Sequence, residues 1–156
     1  MNMDNNRIVF CLFFFKIIII LSAYYIEFFL KILPCTLCSY QRIPYIVAII
    51  LILLFFFKVI NFKKLILILG VLSFINICIS FYHVGIEQGL FSELSVCKNT
   101  VDSNNAKDLL KNLQAQGIVS CKDVSFAIFG ISLATINLVV NISLILFYYR
   151  VFKYEK

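Results

Sequence analysis

The chain reads as an all-α integral membrane protein, a four-transmembrane-helix bundle with both termini cytoplasmic. Three observations carry that reading. Of its 156 residues, 62% are hydrophobic and only 14% are charged, against about 45–50% apolar and about 25% charged in a soluble domain. The mean hydropathy is +0.98, an excess that the interior of so small a globule cannot hide. A compositional bias toward Ile, Phe, Lys and Asn would raise the apolar content but would not gather it into long blocks. The basic residues, in turn, collect at the ends of those blocks.

A helical span needs roughly 20 apolar residues, and four stretches qualify. The first covers residues 8–30, interrupted by Lys16 and Glu27. It is long for the apolar core of a signal peptide and no small-x-small cleavage pattern follows it, so it reads as a retained span. The second covers 43–57 and extends upstream toward Cys35. The third covers 65–82 and the fourth 126–149, all within one membrane domain spanning 1–156. Lys16 is expected to snorkel toward the inner surface, whereas Glu27 has no evident partner in the sequence.

Orientation follows from the short flanks. Arg7 precedes the first span, Lys58, Lys63 and Lys64 separate the second from the third, and Arg150, Lys153 and Lys156 follow the fourth. A chain that crosses four times puts all of these on one face. The other face has Lys31 and Arg42 in its first connection, and four Lys against five acids in its second. The positive-inside rule then places the termini in the cytoplasm and the two cysteine-bearing loops outside. The net charge of +6 serves this orientation. Nucleic acid is excluded as a partner, because no basic stripe with interleaved aromatics exists to bind it. Within the outer loop, residues 87–125, the stretch 106–116 sets Leu109, Leu110 and Leu113 at helical spacing, with Lys107, Asp108, Lys111 and Asn112 on the other side. That pattern suits an amphipathic helix lying on the bilayer or packed on its own loop.

Four cysteines carry the chemistry. Cys35 and Cys38, in Pro34-Cys35-Thr36-Leu37-Cys38, share one face if a helix begins there. Pro34 suits the entry to a first turn. A helix N-terminus favours a thiolate through its free N–H groups and its dipole. Arg42, one turn beyond Cys38, adds positive charge that lowers a thiol pKa or holds an anionic or carbonyl ligand. Cys97 and Cys121 sit in the outer loop, 24 positions apart. As a structural disulfide they would contribute about 3.5 kcal/mol in the chain-entropy model. As a second pair facing the same compartment they are placed for thiol–disulfide exchange with the first. A four-cysteine zinc site is disfavoured by that spacing, since such sites usually use two tight knuckles. Cys11 and Cys78 fall inside spans and read as inert packing. His83, the one histidine, stands at the outer end of the third span, where it can donate to a ligand oxygen or relay protons. Phosphate loops, dinucleotide fingerprints, zinc-protease helices and serine elbows are absent from the sequence, which points to a lipid-borne electron acceptor.

These residues resemble the DsbB family of bacterial membrane thiol–quinone oxidoreductases. The likeness rests on Pro34-Cys35-Thr36-Leu37-Cys38 with Tyr40-Gln41-Arg42, on Tyr82-His83, on the pair Cys97 and Cys121, and on the four spans, so it covers most of the chain. The resemblance implies an inner-membrane enzyme whose cysteines face the periplasm, in a relay that keeps that compartment oxidising. Cys97 would form the mixed disulfide with a DsbA-like thioredoxin-fold partner. Cys121 would connect the outer pair to Cys35. Cys38 would pass two electrons to a membrane quinone, ubiquinone or menaquinone, and Arg42 would hold a quinone oxygen. His83 matches a family histidine near the quinone, and Gln41 replaces an acid found in some members. Two rivals stand beside this reading. One is an enzyme similar to vitamin K epoxide reductase, disfavoured because the Cys-x-x-Cys opens the second span instead of lying late in the chain. The other is a non-enzymatic scaffold with structural disulfides or zinc. A transporter lacks support, since neither internal repeats nor broken helices are visible.

Overall fold

The computed structural model describes residues 3–92, 121, 127–128 and 130–154. Four helices carry it: α1 (Met3–Phe28), α2 (Thr36–Phe56), α3 (Phe62–Glu87) and α4 (Leu133–Tyr154). All four are long and apolar enough to cross a membrane. At about 1.5 Å per residue the shortest reaches about 32 Å, enough for a hydrocarbon layer about 30 Å thick. Phe14, Ile18, Leu21, Phe74 and Leu146 lie exposed on the bundle's exterior. Helices apolar on their outer faces as well as their inner ones belong in lipid, where the backbone must satisfy its own hydrogen bonds.

The helix ends refine the expected spans. α2 begins at Thr36, far upstream of the apolar run, because the Cys-x-x-Cys motif forms its first turn. α3 runs past residue 82 to Glu87 and thereby carries His83 inside a helix. α4 begins at Leu133 and not at 126, because the preceding residues fold back as a hairpin of β1 (Ala127–Ile128) and β2 (Ile131–Ser132), with Ala127 opposite Ser132 and Ile128 opposite Ile131. Gly130 holds φ +80° in the connection, a conformation glycine adopts without steric cost. This hairpin is the departure from an all-α architecture among the described residues. Ser132 then caps α4, its Oγ accepting from the Thr135 N–H at 3.2 Å. The stretch 106–116 and Cys97 lie outside the described residues.

The interior divides into two halves. Toward the end where α1 starts, α4 stops and α2 connects to α3, Val9, Leu12, Ala48, Ile52, Phe55, Leu65, Leu69 and Leu144 make an apolar core. Toward the other end, where α2 starts and α3 stops, Gln41, Asn76, Ser80, His83 and Asn141 are buried. Two expectations are corrected here. Lys16 does not snorkel: it is 3% exposed, with Nζ 4.4 Å from the centroid of the Tyr45 ring and Ser73, Asn76 and Asn141 nearby. The ring face and these polar atoms give the ammonium company that a bare apolar interior would deny it. Cys11 and Cys78 are not packed inside the bundle but are exposed free thiols on its outside.

The end of α2 holds a measurable strain. The Val59 N–H reaches the Leu54 carbonyl at 3.0 Å and the Lys58 N–H reaches Phe55 at 2.9 Å, the two bonds of a Schellman ending. Its left-handed residue is Lys58, at φ 60°, where glycine is the usual occupant. Lys58→Gly is expected to stabilise the bundle by about 0.5 to 1 kcal/mol, the relief of a side chain in the left-handed region less the added freedom of the unfolded chain. Denaturant unfolding in detergent micelles checks it.

Candidate active site

Cys35 is the N-cap of α2, with φ −67° and ψ 164°, and its Sγ accepts from the Cys38 N–H at 3.3 Å. The sulfur thus satisfies a donor that the first turn leaves free and sits at the positive end of the helix dipole. Cys38 brings its own Sγ to 2.8 Å from that of Cys35. His83 reaches across from α3, with Nε2 3.5 Å from the Cys35 sulfur and 3.7 Å from Oε1 of Glu87, one turn further along. Ser132 donates to the other Glu87 oxygen at 2.6 Å, tying α4 to the same corner.

These contacts decide where the charge of the reduced pair resides. The Cys38 thiol, followed by the His83 ring, holds the Cys35 thiol well below the ordinary thiol range, while burial pushes it up. A stabilised thiolate favours the dithiol form, which makes the corresponding disulfide the stronger oxidant. Between pH 8 and pH 6 the alkylation rate of an ordinary thiol of pKa about 8.5 falls roughly 80-fold as the thiolate is lost. Cys35 has its folded pKa depressed, so its thiolate persists below that range and its rate is expected to fall less than about twofold. Site-resolved mass spectrometry after timed alkylation reads this directly.

Both sulfurs open on a cavity of about 240 Å³ lined by all four helices. Ile19, Ile20, Ala23 and Ile26 of α1 and Leu133, Ala134, Ile136 and Val140 of α4 supply apolar walls. Gln41, Arg42, His83, Glu87 and Asn137 supply polar groups. Arg42 pairs with Glu27 of α1 and lies over the Tyr24 ring, 5.0 Å from its centroid. Glu27 therefore has the partner that the sequence did not reveal. One guanidinium arm is committed there, and the rest of its five donors remain for other acceptors.

Sequence reasoning missed the polar lattice behind the cavity. Gln41 Nε2 lies 3.1 Å from His83 Nδ1. Asn137 Nδ2 donates to Gln41 Oε1 at 3.0 Å, to Ser80 Oγ at 2.9 Å and to Asn76 Oδ1 at 3.4 Å. Tyr45 donates to Asn137 Oδ1 at 2.5 Å, and Asn141 Nδ2 donates to Tyr45 and to Asn137. A signal for it existed: polar residues four apart within apolar spans, at Gln41 and Tyr45, Asn76 and Ser80, and Asn137 and Asn141. In hydrocarbon such residues face the bundle interior and find one another.

Of the expected site residues, the structure brings together Cys35, Cys38, Arg42, His83 and Cys121. Cys121 is buried, packs with Cys35 and Ile86 in one cluster flanked by Leu37, Cys38 and Tyr82, and is disulfide-bonded. The other described cysteines are free thiols. Cys35, Cys38 and His83 hold their ligand-type atoms within 4.8 Å of one another. Cys121, engaged in a disulfide, does not join them as a thiolate.

Comparison with known proteins shows the family to which the chain belongs. Residues 5–150 match the family model of the disulfide bond formation protein DsbB. An uncharacterised protein of Rickettsia prowazekii (strain Madrid E) is 31% identical over 146 residues, which cover 90% of this chain and 84% of that protein. No solved structure matches significantly. With its four helices, its Cys-x-x-Cys cap and a family match over nearly its whole length, the chain belongs to the DsbB family.

Proposed function

We propose that this membrane disulfide-forming oxidoreductase reoxidises a DsbA-like thioredoxin-fold dithiol and passes the electrons through two cysteine pairs to a membrane quinone. The observation that carries the proposal is the packing of buried, disulfide-bonded Cys121 against a Cys35–Cys38 pair that opens on an intramembrane cavity. In this reading the cysteine end faces the periplasm and the Lys58, Lys63 and Lys64 end faces the cytoplasm of a bacterial inner membrane, as the positive-inside rule requires.

The relay balances in three exchanges. The partner's two thiols reduce the Cys97–Cys121 disulfide and leave as a disulfide. The Cys121 thiolate attacks Cys35 of an oxidised Cys35–Cys38 pair, forming the Cys121–Cys35 bond and releasing Cys38 as thiolate. Cys97 then attacks Cys121, restoring the outer disulfide and releasing Cys35, so the inner pair now holds both electrons. Each step is a thiolate displacing a thiolate from a disulfide. The N-cap site and His83 make Cys35 a good leaving group, and its engagement by Cys121 removes the like charge beside Cys38.

The cavity suits a quinone ring. Its volume of about 240 Å³ falls below the roughly 300–1,000 Å³ of drug-sized pockets, which fits a single ring whose tail lies in lipid. Apolar walls would hold the ring faces, and Arg42 with His83 would hold its oxygens. The bound quinone supplies an acceptor for two electrons and two protons, turning the inner dithiol back into a disulfide. Arg42→Met is expected to raise the quinone KM about 10- to 100-fold, the loss of a charge-assisted hydrogen bond of about 1.5–3 kcal/mol, with a smaller change in kcat. Steady-state kinetics against quinone concentration separates the two.

The test is quinone reduction by the purified protein in lipid nanodiscs, driven by a reduced DsbA-like donor. Turnover is the expected result. Folded protein that turns over with none of the thioredoxin-fold donors and quinones tried, and that carries stoichiometric zinc on Cys35, Cys38 and His83, would replace this reading with a structural metal site.

A further inference from the structure

The polar lattice behind the thiols has a direction, and that direction reaches the histidine ring. Its anchors are two backbone carbonyls, which can only accept. Asn141 Nδ2 donates to the Asn137 carbonyl at 2.9 Å, so the amide nitrogen of Asn141 faces Asn137. The Asn137 side-chain atom 3.0 Å from that nitrogen is therefore the oxygen. Asn76 Nδ2 donates to the Gln41 carbonyl at 3.3 Å, which turns the Asn76 oxygen toward Asn137. Both anchors give the same answer: the Asn137 amide nitrogen points at Gln41, Ser80 and Asn76.

The Gln41 atom that meets it is then the oxygen, and the Gln41 nitrogen faces His83 Nδ1. An amide N–H opposite Nδ1 requires a bare ring nitrogen there. The one proton of a neutral imidazole is left on Nε2, between the Cys35 sulfur and the Glu87 carboxylate. A reversed Gln41 amide would set its own nitrogen against the Asn137 nitrogen, two donors face to face, in a buried site where an unmade hydrogen bond costs about 1–3 kcal/mol.

We infer that Gln41, oriented by Asn137, is a positioning residue that holds His83 as its Nε2–H tautomer and so aims the ring's proton at the Cys35 sulfur. His83 then acts on Cys35 as a hydrogen-bond donor to the thiolate and not as a base that removes the thiol proton. The importance of this to the relay rests on the function proposed above, whereas the tautomer itself rests on the lattice alone.

The chain has a single histidine, so ¹⁵N-histidine labelling of the full-length protein, reduced, in nanodiscs and without a polyhistidine tag, reports His83 unambiguously. At a pH where the spectrum shows an uncharged ring, the wild type is expected to carry its proton on Nε2 with Nδ1 bare. Gln41→Glu, nearly the same size, places a pure acceptor opposite Nδ1 and is expected to put a proton there. Gln41→Leu removes the preference and is expected to give both tautomers. A wild-type ring protonated on Nδ1, or a Gln41→Glu ring that keeps Nδ1 bare, overturns the inference. The wild-type spectrum decides even if a variant does not fold. The reading is independent of turnover, so loss of the quinone proposal and loss of the tautomer assignment are separate results.

Discussion

Cys38→Ala and Cys97→Ala are each expected to bring thiol-driven quinone reduction down to the uncatalysed background. The reason is electron counting and not a weakened contact. Making a disulfide from a dithiol needs both sulfurs, so a relay missing one of four has no step that a neighbouring residue can complete. The two variants should nevertheless fail at different places. Without Cys97, the partner dithiol has no entry point and remains reduced. Without Cys38, the outer pair still oxidises the partner once. While the outer disulfide is intact, the Cys35 thiolate can attack it at Cys121, its neighbour in one buried cluster, forming a Cys35–Cys121 bond and expelling Cys97 as thiolate, but no inner disulfide can form. Acid-trapped samples on non-reducing gels distinguish these outcomes. Normal turnover in either variant would mean that the electrons bypass the two pairs.

Asn137→Leu is expected to have the largest effect on stability. Its side chain meets Gln41, Asn76, Ser80, Tyr45 and Asn141 and joins α4 to α2 and α3. Hydrogen bonds between membrane helices are worth about 0.6 kcal/mol each on average, because the unfolded chain in lipid also finds partners. Loss of four or five together gives about 2 to 3 kcal/mol. Leucine has the same branched outline and is larger, so none of this comes from a cavity. Phe74→Leu on the lipid-facing surface is the control, with a change expected near zero. Denaturant midpoints in micelles measure both, and equal midpoints would show that the lattice contributes no net stability.

Much of the fold was legible because its determinants are local or cumulative. Apolar blocks, the lysines between them and the two cysteine pairs are counted along the chain, and the bilayer converts those counts into four helices. The Cys-x-x-Cys at a helix start was legible too, since three residues in one turn bring sulfurs together whatever else surrounds them. The helix boundaries were less so. The start of α4 depends on a hairpin at Gly130, and the reach of α3 to Glu87 carries polar residues that an apolar count discards.

Partner choice was a matter for the tertiary structure alone. Glu27 and Arg42 are 15 residues apart and Gln41 and His83 are 42 apart, and no spacing rule couples residues on different helices. Lys16 illustrates the difference. Read alone it should turn toward water, but the packed bundle offers it the Tyr45 ring and a set of amides. A sequence by itself determines which segments enter the membrane and which residues can hold a thiolate, because both depend on a residue and its own helical turn. Which side chain orients which, and therefore where the histidine proton and the thiolate charge reside, is decided only when four helices meet, because a buried polar group is constrained by whatever neighbour can satisfy it.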